Sequence, residues 1–201
     1  MIVLPLPIIA HYTPNMTGNA EPHSNLNPAH SLRSGPDPLR RGAMSRRDFF
    51  ADVIARVRRA LPAELAGFNV HANMALLKLH YGNERIHYEV WIDGGRSRVE
   101  VGLHFEDGPI STATYLAYFD SRIVEIKHQL GWTTELERWT LSWGHLFESI
   151  PLVPLNRTFS GLIADRLIRQ ISLLQPMVID ADIPAGKHEA SPRRRRWERH
   201  L

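Results

Sequence analysis

From Met74 to Phe105 apolar and polar residues alternate in three successive runs. This period of two constrains the chain more than any other feature, because side chains of an extended segment point alternately to opposite faces. In the first run Ala75, Leu77, Leu79 and Tyr81 share one face, and Met74, Leu76, Lys78 and His80 the other. In the second, Ile86, Tyr88, Val90 and Ile92 point inward and Arg85, His87, Glu89 and Trp91 outward. In the third, Val99, Val101, Leu103 and Phe105 oppose Arg98, Glu100, His104 and Glu106. Three strands with one apolar face require a roof of helices on that face.

The connections set the expected register. Gly82 and Asn83 suit a two-residue turn, which places Leu79 opposite Ile86, Leu77 opposite Tyr88 and Ala75 opposite Val90. Asp93, Gly94 and Gly95 signal a second tight hairpin. With Asp93 and Gly94 as the turn, Glu89 faces Arg98 and His87 faces Glu100, opposite charges across the ladder. A slip by two residues would set Glu89 against Glu100, so the first register is preferred.

Flanking segments supply the roof. Ser45 followed by Asp48 resembles a capping box, and Phe49, Phe50, Val53, Ile54, Val57 and Leu61 recur at helical spacing until Pro62. The outer face of that helix carries Arg46, Arg47, Arg56, Arg58 and Arg59. A solvated arginine face is preferred there over a phosphate-binding ridge. Residues 62–73 read as a connector, with a short helical turn at Ala63 to Ala66. A second helix follows Pro109, with Leu116, Phe119, Ile123, Ile126 and Leu130 on one stripe and Gly131 as its stop. Two short strands are expected at Glu135 to Trp143 and Phe147 to Leu152, with Pro151 and Pro154 confining that end to an edge or loop. A third helix runs from about Thr158 to Leu174 and ends before Pro176.

The fold class that results is α+β, an antiparallel sheet made of a three-stranded meander plus two short strands, packed against three helices in the order α-β-β-β-α-β-β-α. It is expected as one domain over residues 44–178, between an N-terminal extension (1–43) and a C-terminal tail (179–201) too polar and proline-rich to offset the entropy of ordering. Met44, at the edge of the first periodic segment, is a candidate natural start in place of Met1. The formal charge of +3 is uneven: residues 183–201 carry +4, residues 1–43 carry +1, and the middle carries −2. The basicity therefore belongs to the tails and says little about nucleic acid binding by the domain. The chain has no cysteine, which excludes disulfides, thiolate metal sites and a cysteine nucleophile and fits a reducing cytoplasm. The apolar start MIVLPLPIIA lacks the basic residues of a secretory signal, and no run reaches the ~20 apolar residues of a membrane span.

Few residues invite chemistry. Asp120 with Glu125 and Lys127 matches the aspartate plus Glu-x-Lys with which some nucleases hold Mg²⁺. That chemistry needs Glu125 and Lys127 on a strand, sharing a face; on a helix they splay apart by ~200°. The outward histidines His80, His87 and His104 do not meet in the expected register and read as solvated, so neither metal nor cofactor is expected. Ser160 before Gly161 has no neighbour that would activate it, and no glycine-rich phosphate loop occurs. Trp139 and Trp143 share a face with Leu141 if their segment is a strand, and core packing under the third helix is preferred for them over a partner-binding surface; Trp91, Trp139 and Trp143 are the candidate partner-binding residues. Arg193, Arg194, Arg195 and Arg196 form a candidate nucleic-acid tail, read first as solubilising.

The element order, with Tyr88–Ile92, Val99–Val101, Ile123–Gly131 and Leu136–Trp139 as the carrying residues, resembles the layout of type III secretion chaperone-like α+β domains and of bacterial domains of unknown function. The resemblance implies a non-enzymatic role in binding another protein or a second copy of the chain. The alternative is a nucleic-acid-associated protein, either a Mg²⁺ nuclease or a binder using its arginine tail.

Overall fold

The computed structural model describes residues 42–185; the N-terminal extension through residue 41 and the arginine tail, Arg193 to Arg196 included, lie outside them. The order is α1 (Arg46–Ala60), β1 (Asn69–Ala72), β2 (Leu76–His80), β3 (Ile86–Asp93), β4 (Arg98–Phe105), α2 (Pro109–Asp120), α3 (Ile123–Leu130), β5 (Glu135–Arg138), β6 (Gly144–Pro151) and α4 (Arg157–Ala181). The six strands form one antiparallel sheet in the order β1-β2-β3-β4-β6-β5. The α+β class stands, with four helices and six strands in place of three and five.

The alternating stretch behaves as its period requires. Leu77, Leu79, Tyr88, Val90, Ile92, Val99, Val101, Leu103 and Phe105 are all buried on one face, and the four helices pack there. Phe49 of α1 meets Phe159 of α4, Phe105 stacks on Tyr115 and Phe119 of α2, and Gln170 of α4 donates to the Val101 carbonyl. Ser45 caps α1, its Oγ accepting from the Asp48 amide. Among the described residues no helix is long and apolar enough to cross a membrane.

Besides β5 and β6, whose bounds differ from the expected Glu135 to Trp143 and Phe147 to Leu152, three elements depart from expectation. The supposed connector contains β1, a four-residue edge strand joined to β2 by Asn73, whose Oδ1 accepts from the amides of Ala75 and Leu76. All four β1 residues are exposed, so the strand carries no inside-outside alternation. The second helix is divided at Ser121 and Arg122, where the Ser121 hydroxyl and the Arg122 guanidinium both donate to the Tyr118 carbonyl and take it from the helical ladder. The last helix continues through Pro176 to Ala181. An interior proline costs about 3 kcal/mol, and here tertiary contacts offset it: Leu174 and Gln175 are buried, Gln175 accepts from the Tyr88 hydroxyl, and Asp180 accepts from the Tyr118 hydroxyl.

Both hairpin registers also differ. Leu79 lies opposite Tyr88, a slip of two, and Glu89 lies opposite Gly102, a slip of four from the expected Arg98. The first connection spans residues 81–85, where Asn83 accepts from the amides of Arg85 and Ile86 and donates to Asp107. The second spans residues 94–97, where Asp93 accepts from the Arg96 amide and Ser97 takes a positive φ of 52°. The expected pairs of Glu89 with Arg98 and His87 with Glu100 are replaced by Arg98 bonded to Glu100 at 2.6 Å and lying 3.6 Å from Asp93. Slips of even length leave every residue on its own face, so the core is unaffected while the neighbours on the opposite face all change.

Candidate functional site

The registers align one cross-strand row of polar residues on the outer face, across all six strands: Asn69, His80, His87, His104, His145 and Glu137. The expectation that the outward histidines stay apart and solvated is corrected here. His87 and His104 stack with ring centroids 5.4 Å apart, and His145 meets His104 edge-on at 5.0 Å. All three are buried. Among the described residues, no helix packs over them.

Lys78 stands opposite Glu89 in the adjoining row. Its ammonium lies 3.5 Å from the carboxylates of both Glu89 and Glu106. Glu89 in turn lies 3.2 Å from His87 Nε2, and Glu106 lies 3.8 Å from His104 Nδ1. The sequence carries this arrangement as two His-x-Glu tripeptides, His87-Tyr88-Glu89 and His104-Phe105-Glu106. On adjacent antiparallel strands with the histidines paired, the two glutamates fall on opposite diagonals. One donor atom from each of His87, Glu89, His104 and Glu106 can be chosen so that all four lie within 4.8 Å of one another.

Burial and charge act against each other in this cluster. Burial holds the His87 pKa below the ordinary imidazole range despite the pull of Glu89, and burial together with His104 takes His145 down to about 4. For Glu106 burial acts upward, but the His104 hydrogen bond and the charges of His87, Lys78 and His104 outweigh it, and the carboxyl falls to about 2. Glu89 is lowered in the same way, burial being overcome chiefly by the His87 hydrogen bond. Lys78 lies against both carboxylates and contributes to lowering each of them, alongside the histidines. Neutral His87 donates from Nε2 to Glu89, which leaves a lone pair on Nδ1, a buried atom with no hydrogen-bond partner.

An aromatic border adjoins the cluster. Trp139 stacks on His145 at 5.2 Å and tilts against Trp91 at 6.2 Å, while His145 stacks on Phe147 at 4.0 Å. Trp143 is tied to Trp139 through the backbone at the end of the β5–β6 hairpin, its carbonyl accepting from the Trp139 amide. Both Trp139 and Trp143 are 46% exposed, and Leu141 between them is 73% exposed. The segment 135–143 is not one strand, since β5 ends at Arg138; the tryptophans bracket a turn and do not pack beneath α4. Trp132 is exposed beyond α3.

The remaining sequence candidates do not assemble. Glu125 and Lys127 lie on α3, where helical geometry splays them, and exposed Asp120 ends α2. The strand arrangement a Glu-x-Lys nuclease needs is absent from this segment. Ser160 does have a partner, contrary to expectation: its hydroxyl donates to Asp52 and joins α4 to α1, which lowers the Asp52 pKa together with Arg56. Lys78, Glu89, Glu106 and His145 were missed. The repeated His-x-Glu was the available signal, but it becomes a cluster only in the observed register.

No family model, curated protein or solved structure matches the chain. The likeness to secretion chaperone-like domains therefore rests on element order alone, and β1 and the divided second helix depart from that order.

Proposed function

We propose that this chain is a non-enzymatic protein-interaction module that docks a partner protein on the outer face of its sheet. The observation that carries the reading is the contact of Trp91 with Trp139 on the face opposite the four helices, next to a half-exposed Trp143. Tryptophan anchors interfaces out of proportion to its abundance because it buries a large rigid area at little entropic cost. The accessible apolar surface is concentrated in this border, where Trp139 and Trp143 are half-exposed and Leu141 between them is exposed.

The test places a photo-cross-linking amino acid at position 143 of the full chain, in cells of the native host. The expected result is a discrete protein adduct that disappears when Trp139→Ala is added. Absence of any protein adduct, or adducts to nucleic acid alone, would overturn the proposal.

A further inference from the structure

The geometry points to a second use of the outer face: His87, Glu89, His104 and Glu106 form a site for one first-row divalent cation of the Zn²⁺ type, which Lys78 occupies as an internal counterion until the metal replaces it. The donor set makes the selection. Two imidazoles disfavour Ca²⁺ and Mg²⁺, which take oxygen ligands, and the chain has no thiolate for softer ions; two imidazoles with two carboxylates suit Zn²⁺, Co²⁺ or Fe²⁺. The four donors lie within 4.8 Å of one another. Ligands at ~2.1 Å from a tetrahedral ion stand ~3.4 Å apart, so only a modest closure is needed. The backbone needs no movement for this, because antiparallel pairing of β3 with β4 already places the two histidines side by side.

Charge supports the exchange. Glu89 and Glu106 are two carboxylates facing one ammonium at 3.5 Å from each. A divalent ion neutralises the pair fully, and Lys78, whose side chain keeps 22% of its surface in water, can swing out. The Glu106 side chain is equally accessible, which gives the ion an entry route. His87 Nε2 becomes a ligand when its proton moves to the unpartnered Nδ1, a change of tautomer with no net proton loss. Ligating histidines ordinarily donate their other N–H to an acceptor, which this Nδ1 lacks, so the site binds about 10- to 100-fold more weakly than a fully supported one.

The test uses the full chain, freed of metal with EDTA and titrated with Co²⁺ and Zn²⁺. Three results are expected: one ion per chain, with the visible absorption of a four-coordinate Co²⁺ centre; at least tenfold weaker binding in Glu106→Gln; and at least tenfold tighter binding in Lys78→Met. Independently of any variant's folding, X-ray absorption of the Zn²⁺-loaded wild type should show a mixed imidazole and carboxylate shell. Failure to bind, binding indifferent to Glu106→Gln, no gain in Lys78→Met, or an imidazole-only shell from exposed histidines would each overturn the inference.

Discussion

Acid should weaken this fold above the ordinary carboxylate range, and His145 allows the loss to be worked out. In the unfolded chain its imidazole has the ordinary pKa of 6.5; in the sheet, burial and His104 bring it to about 4. A histidine whose folded pKa is depressed binds protons more readily when unfolded, so its contribution to stability is complete above pH 6.5 and is lost as pH falls toward 4. Between pH 7 and pH 5 the two binding curves separate by about 2 kcal/mol. His87, also lowered by burial, adds a loss of the same sign. Glu106, held down to about 2, adds nothing in this interval, because its own loss begins only below the unfolded carboxyl value of 4.5. The assay is urea unfolding at both pH values, in EDTA, for the wild type and His145→Gln. Glu100 and Glu148, raised by burial, take up protons more readily in the fold and offset part of the loss, so the test is the difference between the two proteins: His145→Gln should lose about 2 kcal/mol less on acidification than the wild type. Equal losses in the wild type and His145→Gln would refute the reasoning, since they would mean that His145 is solvated.

Two further substitutions test the packing. A Cβ on Gly102 would sit 2.5 Å from the Leu146 carbonyl oxygen and 2.5 Å from Phe147 Cβ. Because backbone cannot rotate away, Gly102→Ala should cost about 3 kcal/mol and lower the melting temperature by about 10 °C, read by calorimetry; a loss under about 1 kcal/mol would contradict the close approach of β4 and β6. Pro176 interrupts α4 at a point that tertiary contacts hold in helical form. Pro176→Ala should therefore raise stability by about 1 kcal/mol or more in urea unfolding, and a decrease would mean that the helix does not continue past Leu174.

The inner face of the sheet was legible in the sequence because alternation reports sidedness directly. Tyr88, Val90, Val99, Val101 and Leu103 were all assigned correctly to the core. Ser45 and Gly131 marked helix ends for equally local reasons. Register was not legible. Pairing Leu79 with Ile86 or with Tyr88 matches apolar with apolar equally well, and only the hydrogen bonds of Asn83 and Asp93 within their loops select the observed alignment. The candidate site depends on that choice, since His87 meets His104 only after the slip of four and Lys78 stands opposite Glu89 only after the slip of two. Pro176 misled for a different reason: a proline's local cost is visible in sequence, whereas the Tyr88 and Tyr118 hydroxyl contacts that offset it are long-range. β1 alternates polar and apolar residues over only four positions and is exposed throughout, too short a run to mark a strand.

Cross-strand contacts between backbone protons, measured by NMR on the isotopically labelled chain, test the pairing of β3 with β4 most directly. The account predicts contacts linking His87 to His104 and Glu89 to Gly102. Contacts linking His87 to Glu100 and Glu89 to Arg98 would contradict it, dispersing the histidine row and with it the candidate metal centre.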